Sequence, residues 1–114
     1  MEYLLLIYAE EKGGATLDEA TQHAEFGKCI AFGEKFAERI KGSNSLQPTT
    51  AATTVRLRNG KRLITDGPFA ETKEQLAGYY LVEAADLDEA IAMAEKNPVA
   101  PHGSIEVRPI RKLK

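Results

Sequence analysis

The sequence is poor in cysteine and histidine. Its one cysteine, Cys29, excludes an internal disulfide framework and argues against a thiolate zinc site. The only histidines, His23 and His102, lie far apart with no third ligand at metal spacing, so we expect no metal site. Gly13-Gly14 lacks the further glycine and the lysine of a phosphate-binding loop. We therefore expect no cofactor.

Long apolar runs and blocks of like charge are also absent. Fifteen Lys and Arg residues oppose seventeen Asp and Glu residues, a net charge of −2, which argues against nucleic-acid binding by phosphate neutralisation. The apolar run Tyr3–Tyr8 has no basic flank, ends at Glu10 and Glu11, and is too short to cross a bilayer. We expect a cytoplasmic protein that contacts neither nucleic acid nor membrane.

The composition is that of a single globular domain spanning residues 1–114. The chain is 43% hydrophobic and 28% charged, a normal balance for a packed protein. A chain of this length buries about two-thirds of its unfolded surface, so a core forms without disulfides or metals.

Three segments are predicted to be strands of the main sheet. Met1–Ala9 and Ala77–Ala84 have apolar residues on both alternating faces, which indicates strands covered on both sides. Ser104–Pro109 alternates, with Ile105 and Val107 facing inward.

The middle of the chain predicts a hairpin. Asn59-Gly60 joins Thr53–Arg58 to Lys61–Thr65, which is a strong hairpin signal. The polar segment Gly42–Ala52 before it predicts an extended stretch with an edge strand near Leu46.

Two helices are predicted. The first begins at Thr16, which forms a capping box with Glu19, and runs to a C-terminal cap at Gly42. Its apolar residues recur at three- and four-residue steps and predict one buried stripe: Phe26, Cys29, Ile30, Gly33, Phe36, Ala37 and Ile40. The second is capped by Asp86 and ends at Asn97-Pro98.

The order of elements predicts an α+β fold of the ferredoxin-like βαββαβ type with an inserted β-hairpin. Both helices then cover one face of the sheet. Because the central strands are apolar on the other face as well, we expect a homodimer packed through that sheet face.

The segment Thr65–Leu76, TDGPFAETKEQL, followed by Gly78-Tyr79-Tyr80, closely resembles the signature of DGPF-domain proteins, a branch of the YCII-related family. The opening Tyr3–Tyr8 and the closing His102–Pro109 also resemble that family, so the similarity covers nearly the whole chain. The resemblance implies a dimeric α/β-barrel of two ferredoxin-like units. It implies no established activity.

The resemblance also implies two functional directions. Many DGPF proteins are encoded beside, or fused to, extracytoplasmic-function sigma factors, and a relative in the wider family is a dehydrochlorinase acting on a chlorinated hydroxyquinol. Some YCII relatives carry a His–Asp pair proposed to be catalytic. In this chain the positions of that pair correspond to the region of Ala31 and to Asn97, so the pair itself is not present.

The predicted topology brings several polar side chains to one rim of the sheet, and these are the candidate site residues. His102 is the candidate catalytic acid/base, and Asp66 is the residue that would orient it. The candidate binding residues are Glu71, Lys73, His23 and Tyr79. Each has a structural alternative. In the alternative, His102 would cap the second helix and Asp66 would form an Asx-turn before Gly67-Pro68. Glu71 and Lys73 would simply be solvated.

Three further alternatives concern the helix and the strands. In the first, His23 is a hydrogen-bonded histidine at the edge of the core and does not bind a ligand. In the second, Cys29 is a small apolar core residue and not a nucleophile. Tyr3, Tyr8, Tyr79 and Tyr80 either wall a site for a ring-shaped ligand or simply pack within the sheet.

The sequence leaves three functions open. The first is a small-molecule-binding or accessory protein with a link to sigma-factor signalling. The second is an isomerase, lyase or dehydrohalogenase acting on a hydroxylated ring or lactone through His102 and Asp66. The third is a protein–protein interaction module that uses the polar segment and the hairpin.

Overall fold

The fold is built on a four-stranded antiparallel sheet. The computed structural model describes residues 1–11 and 19–113. Its elements, in chain order, are β1 (Glu2–Ala9), α1 (Glu19–Lys35), β2 (Ile40–Ser45), a short 3₁₀ helix (Thr49–Ala51), β3 (Thr53–Arg58), β4 (Lys61–Asp66), β5 (Gln75–Glu83), α2 (Leu87–Glu95) and β6 (Ser104–Pro109).

The strand order β2-β5-β1-β6 is that of a ferredoxin-like fold. The strands β3 and β4, which follow β2 and precede β5 along the chain, form a separate two-stranded sheet. This confirms the predicted fold class and the inserted hairpin. The strands begin and end within a few residues of their predicted bounds, and β6 matches its prediction at both ends.

The strand register brings three chain segments to one end of the sheet. Ala9, at the end of β1, lies opposite Gln75 at the start of β5. Tyr8 lies opposite Ser104 at the start of β6. The loops that precede β5 and β6 therefore meet at the end where β1 finishes, as the predicted topology requires.

The core lies on the face of the sheet that the helices cover. Tyr3, Leu5 and Ile7 alternate inward along β1 and are almost fully buried. Tyr3 and Leu5 pack in one cluster with Val82 of β5 and with the buried face of α2: Ala90, Met93 and Ala94. Leu4, Leu6 and Tyr8 point to the opposite face, where they are only half-buried.

The predicted cap of α2 is confirmed. The Asp86 carboxylate accepts a hydrogen bond from the Glu89 backbone N–H at 3.0 Å, and the Glu89 carboxylate accepts one from the Ala85 N–H at 3.0 Å. Glu89 also forms an ion pair with Arg39, which fixes the chain between α1 and β2 against this cap.

The first helix differs from its prediction in two respects. Its one buried residue is Phe32, whereas Phe26 is 65% exposed and Ile30 is 47% exposed. The helix also ends at Lys35, and Gly42 belongs to β2, so Gly42 is not a helix cap. Phe32 was not in the predicted stripe. The stripe members Phe36 and Ile40 pack against the core but follow the end of α1 and are only partly buried. The predicted cap at Thr16 lies outside the described residues.

The hairpin and α1 give the chain an extended outline. The radius of gyration is 16.1 Å, against about 13 Å for a compact chain of this length. Asn59 and Gly60 both have positive φ, 52° and 77°, which is the turn geometry that Asn-Gly favours. Neither described helix is long and apolar enough to span a membrane.

Candidate functional site

A small cavity opens between α1, the β2–β5 edge of the sheet and the segment after α2. Its volume is about 160 Å³, close to the roughly 150 Å³ of an engineered cavity in another protein that holds one benzene molecule. The lining residues come from five parts of the chain: Ile7, Cys29, Ser43, Asn44, Ser45, Ala77, Gly78, Tyr79, Tyr80, Asn97 and Val99.

The floor of the cavity depends on Gly78. A Cβ atom at this position would lie 2.7 Å from the Asn44 carbonyl oxygen, closer than side-chain carbons normally approach backbone oxygen. Glycine thus allows β2 and β5 to approach closely beside the cavity. The pairing of β1 with β5 shifts register between Ile7 and Tyr8, next to Gly78, which further shapes this part of the sheet.

Asn97 closes the cavity at the end of α2. It is the one buried polar residue among those described, with 4% of its surface exposed. Its side-chain oxygen accepts a hydrogen bond from the Val99 N–H at 2.9 Å, which turns the chain after the helix. That bond uses the amide oxygen, so Nδ2 is the donor that this side chain could offer to a ligand.

Cys29 and Tyr80 contribute the titratable groups of the lining. Partial burial, and secondarily the Glu25 carboxylate, raise the pKa of the Cys29 thiol. Partial burial, and secondarily the negative charge of a Cys29 thiolate, raise the pKa of the Tyr80 hydroxyl. Both groups are therefore protonated at neutral pH and act as neutral hydrogen-bonding groups.

The electrostatic character of the cavity follows from this lining. Among the described residues, no carboxylate, imidazole or ammonium group belongs to it. The hydroxyls of Ser43, Ser45 and Tyr80 and the Asn97 amide can donate or accept hydrogen bonds around an apolar floor. Such a lining suits a small ring that carries hydroxyl or carbonyl groups, and it provides no base at neutral pH.

Of the predicted site residues, Tyr79 belongs to the lining of this cavity, although its side chain lies on the sheet face away from α1. Its hydroxyl oxygen accepts a hydrogen bond from the Asn44 amide at 2.8 Å, which links β5 to β2. His23 is exposed on α1, so it does not lie at the core edge. Cys29 is also an exposed residue, and its prediction as a buried core residue is wrong.

The four tyrosines divide between the two faces of the sheet and form no single aromatic wall. Tyr3 and Tyr80 lie on the face that the helices cover, where the Tyr80 ring packs edge-on against Phe32 at 5.0 Å between centroids. Tyr79 lies opposite Leu6 on the other face.

The rim that was predicted to hold His102 has its own hydrogen bond. The Ser104 hydroxyl donates to the Glu74 carboxylate at 2.7 Å, which joins the start of β6 to the start of β5. The neighbouring Lys73 and His102 are exposed, and so is Glu71. The His102 N–H donates to the Val99 carbonyl, so the backbone of this residue belongs to the turn after α2.

Asp66 lies on the hairpin, opposite Thr53, and is exposed. Within residues 1–11 and 19–113, its carboxylate has no hydrogen bond to His102 or to a turn N–H. The catalytic roles of Asp66 and His102 remain predictions. In the same described part of the chain, no cluster of three His, Cys, Asp or Glu side chains could hold a metal ion.

Sequence reasoning did not identify Ser43, Ser45 or Tyr80 as parts of one site. Tyr80 is far from Ser43 and Ser45 along the chain, and only the antiparallel pairing of β2 with β5 brings Ser43 opposite Tyr80. The role of Asn97 in the turn could have been predicted from the sequence, because an asparagine that precedes proline at a helix end is a typical turn former.

The comparisons with known proteins agree with this architecture. A family model of the YCII-related domain matches residues 1–114. An uncharacterised protein of Rhizobium meliloti (strain 1021) is 39% identical over 114 residues, covering 96% of this chain and 92% of that protein.

A solved structure shares the fold. It is 5-chloro-2-hydroxyhydroquinone dehydrochlorinase from Burkholderia phenoliruptrix AC1100, in complex with 2,5-dihydroxybenzoquinone. The TM-score is 0.60 at 13% sequence identity, covering 97% of this chain and 94% of that one. The family match over the full length and the relative at 39% identity lead to one conclusion: this chain belongs to the YCII-related family.

Proposed function

We propose that the protein binds a small hydroxylated ring in the cavity between α1 and the β2–β5 edge. The observation that carries this proposal is the combination of size and lining: about 160 Å³, enough for one six-membered ring, bounded by neutral hydrogen-bonding groups. Ring hydroxyls would exchange hydrogen bonds with the Tyr80 hydroxyl and accept one from the Asn97 amide. The solved structure of similar fold holds a dihydroxylated quinone.

The neutral lining favours binding over catalysis at this cavity. General acid–base chemistry at neutral pH needs a group whose pKa lies near the working pH. Here the pKa values of both Cys29 and Tyr80 are raised, which moves these groups further from neutrality. A protein that senses or carries such a ring is consistent with an accessory role in a cytoplasmic signalling system, including one linked to a sigma factor as in the DGPF branch.

Resorcinol, a dihydroxybenzene that does not react with thiols, tests the cavity. We expect it to shift the amide signals of Gly78 and Asn97 in an NMR titration and to slow alkylation of Cys29 by iodoacetamide. Because the pKa of the thiol is raised, alkylation at pH 7 should already be slower than for free cysteine and should accelerate as the pH rises.

Tyr80→Phe and Tyr3→Phe form a matched pair for this titration. Tyr80→Phe removes one cavity hydroxyl and should weaken resorcinol binding about fivefold to tenfold, the effect of one hydrogen bond. The Tyr3 hydroxyl bonds to the Met1 sulfur, and Tyr3 does not line the cavity, so Tyr3→Phe should bind normally. Shifts centred on His102 and Glu74, or no binding at all, would exclude the cavity as the site.

The second part of the proposal is a homodimer packed through the open face of the sheet. Leu4, Leu6, Tyr79 and Leu81 share this face, and each is only half-buried in the single chain. A contiguous apolar sheet face of this kind is rarely left in water. A second copy that presents the same face covers it by two-fold symmetry.

The fold shared with a dehydrochlorinase supports a second candidate, an enzyme that acts on a halogenated hydroxylated ring. In this alternative His102 is the acid/base and Asp66 orients it, with Glu71 and Lys73 binding substrate at the rim. The support from this chain is the register that brings the loops before β5 and β6 to one end of the sheet.

Chloride release from 5-chloro-2-hydroxyhydroquinone measures this alternative directly. If the enzyme reading is correct, His102→Ala lowers turnover about 100-fold, the usual contribution of one general acid–base residue. Asp88→Ala, which replaces an exposed carboxylate in the first turn of α2, serves as the control and should retain activity. Turnover that survives in His102→Ala would eliminate His102 as the catalytic group.

A further inference from the structure

The hairpin β3–β4 carries an apolar face that no part of the chain within residues 1–11 and 19–113 covers. Val55 and Ile64 lie directly opposite each other, and Leu57 lies two residues along β3 from Val55, so the three share one face. Their exposed fractions are 62%, 54% and 67%. An isolated two-stranded hairpin is marginally stable in water, so this one needs a covering surface.

The ends of that hairpin face carry opposite charges. Arg62 lies opposite Leu57 near the turn, and Asp66 lies opposite Thr53 at the base. From the turn to the base, this face therefore has the cation Arg62 at one end, the apolar residues in the centre and the carboxylate Asp66 at the other end. The distance from Arg62 to Asp66 is about 13 Å at the rise of a β-strand.

The exposed face of α1 presents the complementary order. Phe26 and Ile30 form its apolar centre, exposed by 65% and 47%. Glu34 follows Ile30 by four residues and His23 precedes Phe26 by three, so both share this face and both are exposed. This face thus has the Glu34 carboxylate at one end, the apolar residues in the centre and the His23 imidazole at the other end. Glu34 lies about 16 Å from His23 along the helix.

We propose that the hairpin of one copy docks on the exposed face of α1 of a second copy. Arg62 then meets Glu34, the apolar face of Val55, Leu57 and Ile64 covers Phe26 and Ile30, and Asp66 meets His23. The match of length, apolar centre and charge at both ends selects this occupant. Hairpin residues 53–66 carry four cations and one carboxylate in a chain of net charge −2, so the rest of the chain is the oppositely charged partner.

This contact is independent of the proposed ligand site and separate from pairing through the open sheet face. It gives Asp66 a partner other than His102.

Disulfide trapping between two differently tagged chains tests the contact. In a Cys29→Ser background, one chain carries Arg62→Cys and the other Glu34→Cys, so a disulfide between the two tags is necessarily intermolecular. We expect efficient cross-linking on mild oxidation, because facing side chains of docked elements reach disulfide distance.

Lys61→Cys is the matched control. Lys61 neighbours Arg62 but lies opposite Arg58 on the other face of the hairpin, so its cross-link to Glu34→Cys should be at least about fivefold weaker. Equal trapping from both positions overturns the proposed register. A disulfide that forms only when Arg62→Cys and Glu34→Cys are in the same chain shows that the hairpin docks on its own helix, and no disulfide in either arrangement rejects the docking.

Failure of this experiment is distinguishable from failure of the ligand proposal. Trapping is measured without resorcinol, and resorcinol binding is measured in the protein with Cys29 intact. A second variant, Leu57→Asp, places a carboxylate in the apolar centre and should abolish the Arg62–Glu34 cross-link. Cross-linking that persists in Leu57→Asp would contradict an apolar contact.

Discussion

Leu5→Ala is expected to lower the free energy of unfolding by about 2–5 kcal/mol, the usual cost of removing a fully buried leucine side chain. Leu5 is 0% exposed and lies at the centre of β1, opposite Tyr80 on β5 and Val107 on β6. The surrounding backbone is hydrogen-bonded on both sides, so the space left by the side chain cannot collapse. Urea unfolding followed by circular dichroism measures the change.

Leu4→Ala is the informative companion to this experiment. The two leucines are adjacent in sequence and differ in which face of β1 they occupy. The loss in Leu5→Ala should not depend on protein concentration. The loss in Leu4→Ala should be smaller below the concentration at which dimers dissociate, because Leu4 becomes fully covered only in the proposed dimer. A loss below about 1 kcal/mol for Leu5→Ala would contradict the packing of the helices on this face.

Local rules predicted the parts of the fold that local chemistry determines. Asn59-Gly60 specifies a tight turn because both residues adopt positive φ, and the hairpin forms where it was expected. Asp86 and Glu89 cap α2 because their side chains reach backbone N–H groups within one turn. The alternation of apolar residues in β1 correctly indicated a strand with two apolar faces.

The errors arise where a pattern identifies an apolar face but not what covers it. Phe26 and Ile30 repeat with the helical period and are exposed, whereas Phe32, which was not in the predicted stripe, is the buried residue of α1. The same limit applies to the hairpin, whose apolar residues were visible in the sequence and whose exposure was not. The proposed docking between two copies would cover both surfaces, since an apolar stripe favours burial and does not specify which chain supplies it.

The lining of the candidate cavity could not be predicted from the sequence, for a different reason. Titratable residues such as His102 and Asp66 attract attention because their chemistry is recognisable in a sequence. The cavity is lined instead by serine, asparagine, glycine and tyrosine, which have ordinary structural roles in most proteins. Their function as a group depends on the pairing of β2 with β5 and on the turn after α2, which are tertiary features.

Leu6→Glu is expected to break the proposed sheet-face dimer. Leu6 lies opposite Tyr79 on β5 and Glu106 on β6, at the middle of the open face. A carboxylate buried there lies beside Glu106, and the neighbouring cation on this face, Arg108, already pairs with Glu106. Its desolvation should cost about 4 kcal/mol, or roughly a thousandfold in the dissociation constant. Sedimentation equilibrium should then show monomers at concentrations where the original chain is dimeric.

The control for this prediction replaces an exposed leucine outside the open face. Leu87 begins α2 and is 48% exposed, so Leu87→Glu should leave the association unchanged. The far-ultraviolet circular dichroism of Leu6→Glu should match that of the original chain, because Leu6 lies on the face away from the core. Unchanged dimerisation in Leu6→Glu would move the interface elsewhere, and the exposed faces of α1 and the hairpin would then be the apolar surfaces left to form it. For that reason the disulfide-trapping experiment and the Leu6→Glu experiment together decide which of the two contacts holds the copies together.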